Sequence, residues 1–122
     1  LVDHGVAAVV DIRAERADDT AFYDRHGIAY VRYEVADLGV PDVATIASAV
    51  DWIGARQGEG RPVLVHCAKG RGRSATLLAA YLMASQGMSY AEAASLLVSR
   101  RPLTKLEDRH RRMVEAWWAR RT

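Results

Sequence analysis

The sequence has 122 residues, 50% hydrophobic and 26% charged, which suits one soluble globular domain with a real core and is too short for two. A net charge of +2 is too small to imply a nucleic-acid or membrane partner by itself. The single cysteine excludes an internal disulfide and a C-x-x-C redox pair, so a reducing, cytoplasmic setting is expected.

In chain order, "AAVVDI" (Ala7 to Ile12) is a short apolar run and predicts a buried strand. "DDTAFYDRHG" predicts a short helix ended by Gly27. "IAYVRYEV" (Ile28 to Val35), rich in β-branched and aromatic residues, predicts a second strand, and "ADLGVP" a loop. From Asp42, as N-cap, Val43, Ile46, Ala47, Val50 and Ile53 mark one face of a helix expected to fray near "RQGEG". "PVLVH" lacks polar alternation, as a parallel strand covered on both faces would. "SATLLAAYLMAS" is apolar nearly all round and should form the buried central helix. "SYAE" at Ser89 matches a capping box and predicts a helix to about Ser99. A last helix is expected from about Lys105, with Leu106, His110, Met113, Val114 and Trp117 on one stripe.

The β-α-β-α-β-α order predicts a single α/β domain over residues 1–122, with a mainly parallel central sheet flanked by helices. The chain opens at "LVDHG" without a methionine and three strands make a small sheet, which leaves open an N-terminal element outside it. No signal peptide or membrane span is expected, since the longest uncharged stretch, Ser74 to Ala91, is broken by Ser, Gln and Gly. The basic residues that crowd the last quarter, among them Arg100, Arg101, Arg111, Arg112, Arg120 and Arg121, are expected to form a solvated helix face.

The chemistry concentrates in "HCAKGRGRS", His66 to Ser74, at the junction between a strand and a helix. Backbone N–H groups there lack helical partners and can converge on an anion. Gly70 and Gly72 let the chain curl tightly, including through positive φ. The helix dipole and basic surroundings favour the thiolate of Cys67, which should ionise below the usual thiol value of roughly 8.5. Arg73 can grip two oxygens of a phosphate with its planar fork. Ala68, Lys69, Gly70, Arg71, Gly72 and Arg73 would then surround the phosphate, and Cys67 would attack phosphorus. No G-x-x-x-x-G-K-[ST] nucleotide loop occurs, and no grouping has metal-ligand spacing.

His66-Cys67, five residues, then Arg73-Ser74 resembles the signature of the cysteine-dependent protein tyrosine phosphatase superfamily. The resemblance runs from "VVDIR" to the last helix and is strongest to the compact dual-specificity phosphatases. A rhodanese-type sulfurtransferase loop is similar but places its arginine one residue sooner, where Gly72 stands here. The resemblance implies a metal-free, cofactor-free hydrolysis through a cysteinyl phosphate. It gives Ser74 a hydroxyl that helps the sulfur leave, and His66 a role in ordering the loop. It also implies an aspartic general acid about thirty residues upstream of the cysteine. Asp37 lies thirty positions before Cys67 and is favoured, while Asp42 is the rival, already explained as an N-cap. The other histidines (His4, His26, His110) are expected to be structural or exposed.

The substrate implied is a phosphorylated protein or an anionic phospholipid or inositol phosphate, with Lys69 and Arg71 at the mouth. "CAKGRGRS" resembles loops of phosphatases acting on phosphoinositides and phosphatidylglycerophosphate, although Ala68-Lys69 departs from the phosphoinositide order. A shallow, permissive pocket is expected, because the chain is too short to hold the extra segments that deepen the pocket of tyrosine-specific enzymes. A monomer without nucleic-acid binding is expected, and transient contact with a membrane surface stays open. The alternatives kept are a silent phosphate-binding pseudophosphatase and a sulfurtransferase.

Overall fold

A computed structural model of the chain describes residues 8–12, 20–36, 39–66, 72–102 and 104–121, without the side chains of Thr20 and His66. Its strands are β1 (Ala8–Asp11), β2 (Ala29–Arg32) and β3 (Val63–His66), and its helices are α1 (Thr20–Arg25), α2 (Val43–Gly58), α3 (Arg73–Gln86), α4 (Tyr90–Arg100) and α5 (Asp108–Arg120). The described strands form one parallel sheet in the order β2-β1-β3, so the expected α/β architecture holds.

Alternation along β1 divides the core. Val10 faces α2 to α5 and joins a cluster with Ile46, Ile53, Val65, Leu77, Val114 and Trp117. Val9 points the other way, onto Tyr23 of α1 and Ile28. Helix α3 is the buried centre expected from its composition, with eight residues, from Arg73 to Met83, buried. No helix among the described residues is long and apolar enough to cross a membrane.

Local chemistry sets most boundaries. Gly27, at φ 65, closes α1 in the left-handed conformation, and Ile28 N–H reaches back to Tyr23 O at 2.8 Å. Asp42 caps α2 by accepting from Thr45 N–H at 2.8 Å. Ser89 and Glu92 make the reciprocal capping box that starts α4.

Two boundaries differ from expectation, the end of β2 and the start of α5. Strand β2 stops at Arg32 instead of Val35 because β1, its partner, ends at Asp11 and leaves only Asp11 O for Tyr33 N–H. Helix α2 ends at Gly58, inside the "RQGEG" stretch as expected, closed by Gly60 N–H to Gln57 O and Arg61 N–H to Arg56 O. Helix α5 starts at Asp108, not Lys105, because Glu107 is its N-cap and the His110 side chain accepts the Glu107 N–H.

Candidate active site

Strands β1 and β3 end side by side, with Asp11 paired to His66 in the ladder, so their carboxyl ends share one edge of the sheet. Ligands of parallel α/β sheets bind at that edge. The backbone leaves β3 at His66 and enters α3 at Arg73. Cys67, Ala68, Lys69, Gly70 and Arg71 lie outside the described residues, as does Asp37. Gly72, Arg73 and Ser74 are described and stand together at the amino end of α3.

Arg73 is 4% exposed. Its guanidinium Nη1 donates to the carbonyl oxygen of Val35 at 2.7 Å. Val35 lies two residues before Asp37, so the arginine of one predicted segment fastens the base of the other. A planar fork can donate from one nitrogen to a carbonyl and still present others to an oxyanion. Ser74 is buried one residue further along the helix. Gly72, the N-cap of α3, has no side chain with which to cap the first turn.

Gly72 also corrects an expectation. Its φ is −129°, which any residue can adopt, so left-handed freedom is not why glycine stands there. A Cβ at this position would lie 2.8 Å from His110 Nε2 and 3.3 Å from the Lys105 carbonyl oxygen. Close approach of α5 is the reason. The Gly72 carbonyl accepts from Thr76 twice, from the amide at 2.9 Å and from the hydroxyl at 2.7 Å.

Two more residues reach this end of the sheet. His110 is buried, and Nδ1 accepts the Glu107 N–H at 2.9 Å. Burial, with the Arg109 cation beside it, holds the imidazole below its usual value of 6.5; the Glu107 carboxylate pulls the other way without prevailing. Asp11, fully buried at the end of β1, accepts from the Tyr30 hydroxyl at 3.2 Å. The sequence signals for both were weak: His110 sits in the apolar stripe of the last helix, and Asp11 ends an apolar run.

Asp42, the rival acid, is exposed and engaged as the α2 cap, and the Thr45 N–H holds its carboxyl below the usual value of 3.8. A lowered carboxyl suits the ionised cap that accepts the Thr45 N–H. Among the described residues no three His, Cys, Asp or Glu gather as metal ligands. Two surface grooves, one lined by Val43, Trp117 and Arg121 and one by Met83, Tyr90 and Trp118, do not include Gly72 to Ser74.

A parallel sheet with a glycine-capped, arginine-led helix at its carboxyl edge defines a class of anion-binding α/β catalytic domains. The family model of the dual specificity phosphatase catalytic domain matches residues 1–119, and the chain belongs to that family. It is similar to phosphatidylglycerophosphatase and protein-tyrosine phosphatase 1 of Mus musculus, 33% identical over 101 residues, covering 76% of this chain and 51% of that protein. It is also similar to phosphatidylglycerophosphate phosphatase PTPMT2 of Arabidopsis thaliana, 30% identical over 114 residues, covering 91% of this chain and 50% of that one. The chain thus spans about half the length of these two relatives. The crystal structure of Tk-PTP in the active form superposes with a TM-score of 0.86 at 28% identity, covering 95% of this chain and 80% of that chain.

Proposed function

We propose that residues 1–122 act as one catalytic domain, a metal-independent phosphomonoester hydrolase with Cys67 as nucleophile. The observation that carries this is Arg73, a guanidinium buried at the β3–α3 junction six residues after the cysteine and fastened to the Val35 carbonyl that begins the Asp37 segment. A planar guanidinium so placed can grip two oxygens of a phosphoryl group, the group that a neighbouring thiolate would attack.

The reaction has two steps. The Cys67 thiolate attacks phosphorus, the bond from phosphorus to the ester oxygen breaks, and Asp37 protonates the departing oxygen. Water then attacks the cysteinyl phosphate, Asp37 takes its proton, and Ser74 donates to the leaving sulfur. Inorganic phosphate departs and the thiolate returns. Arg73 and the amides of residues 68–73 hold the charge that builds on the equatorial oxygens. A thiolate nucleophile of this kind needs the reducing setting expected from the sequence.

The substrate proposed is a phosphorylated protein or an anionic phospholipid phosphate, as the names of the two relatives suggest for those proteins. Lys69 and Arg71 would meet a second anionic group on it. Cys67→Ser should abolish turnover of p-nitrophenyl phosphate while keeping phosphate affinity, because an alcohol does not ionise here. Turnover above background in that variant would exclude the cysteine mechanism. A silent module would instead show none in the wild type. Phosphate release from phosphopeptides, phosphoinositides and phosphatidylglycerophosphate then selects the substrate.

A further inference from the structure

Gly72 is gripped from two sides. Thr76 holds its carbonyl through an amide at 2.9 Å and a hydroxyl at 2.7 Å, and His110 occupies the volume beside its Cα. His110 comes from α5, 38 residues later in the chain, and is 2% exposed, so its ring cannot swing away without opening the core. Its tautomer follows from its bonding. Nδ1 accepts the Glu107 N–H, so in the neutral ring the proton is on Nε2, the atom that faces Gly72. The charged groups beside the ring are Arg109, Glu107 and Lys105, and burial dominates them in keeping it neutral.

We propose that His110 is a positioning residue of the phosphate site, a role that rests on the phosphatase function proposed above. The neutral ring, seated by Glu107, closes its Nε2–H edge against Gly72 and fixes the backbone from which Arg73 starts. From that start the buried Arg73 side chain sets Nη1 on the Val35 carbonyl. Loosening Gly72 lets the guanidinium drift, and bidentate grip on an oxyanion tolerates little drift. An α5 helix cap alone would make no such link to phosphate affinity.

The test is a double-mutant cycle on the full chain, reading kcat/KM for p-nitrophenyl phosphate and the inhibition constant of inorganic phosphate well below each variant's Tm. Gly72→Ala should lose about a hundredfold in kcat/KM because its methyl meets Nε2, and His110→Ala about tenfold. The double variant should recover at least about tenfold over Gly72→Ala, since removing the ring makes room for the methyl. His110→Gln, whose amide can accept from Glu107 and donate toward Gly72, should weaken phosphate binding by no more than about threefold, against about tenfold for alanine. Additive losses in the cycle, or a lowered Tm with phosphate affinity unmoved in His110→Ala, would overturn the role. Should His110→Ala fail to fold, His110→Gln decides alone: a loss of phosphate affinity above about tenfold overturns it. Wild-type turnover, lost in Cys67→Ser, is the control. An inactive wild type rules out the phosphatase function and this role with it, whereas an active wild type with an additive cycle rules out His110 only.

Discussion

Arg73 shows how much one side chain can be asked to do. Its Nη1 is committed to Val35 O at 2.7 Å, at the β3–α3 junction where a phosphoryl group is proposed to sit. Arg73→Lys keeps the charge but cannot hold a carbonyl and two oxyanion oxygens in one plane. The expected loss in kcat/KM for an aryl phosphate is several kcal/mol, roughly 10²-fold or more. A loss under about tenfold would mean that Arg73 does not touch the transition state. The two aspartates separate by leaving group. General-acid help is worth about 10²- to 10⁴-fold, and alkyl phosphates need it while activated aryl phosphates hardly do. Asp37→Asn should therefore slow alkyl phosphate hydrolysis by about that factor and remove the alkaline limb of the pH–rate profile. Asp42→Asn should change little, since asparagine caps α2 about as well. If the two variants exchange behaviour, Asp42 is the acid after all.

At the scale of elements, short-range chemistry decides where helices begin and end. The Asp42 cap of α2, the Ser89–Glu92 box of α4 and the Gly27 terminus of α1 each join residues no more than five positions apart. Asp42→Ala should lower stability by about 1 kcal/mol, with urea midpoints as the measurement and kcat unchanged. Its pH dependence has a definite sign. The carboxyl is lowered in the folded chain, so the cap's contribution is present above pH 3.8 and is lost as the pH falls through the depressed value. Asp42→Asn should abolish that acid-side dependence and keep the cap. The expected solvated cationic face of the last quarter is seen on α5, where Arg109 pairs with Glu107, Arg111 with Glu115, and Arg121 lies 5.1 Å over the exposed Trp118 ring. The end of β2 and the start of α5 are not legible in the sequence because each is set by a neighbour: the length of β1 in one case, the His110 ring turning back on Glu107 in the other.

At the scale of the molecule, helix α5 closes the core with Val114 and Trp117 and sets a neutral histidine beside the candidate site. That histidine should be visible in the pH dependence of folding. Its folded value is depressed below 6.5, so the unfolded chain takes up the proton first. Stability should fall as the pH drops below about 6.5 and level off below the folded value, and His110→Gln should flatten that slope in Tm measured from pH 7.5 to 4.5. A slope that persists in His110→Gln would place the titration elsewhere. The sequence alone determined the alternation of strands and helices, the caps, the central helix and the Cys67-to-Arg73 spacing, because each depends on residues close along the chain. Only the tertiary structure decided that Arg73 holds Val35 and that His110 fills the space beside Gly72. Each of those contacts joins residues 38 positions apart. Packing in three dimensions brings such pairs together, and neither hydrophobic period nor local propensity records which carbonyl or which ring will arrive.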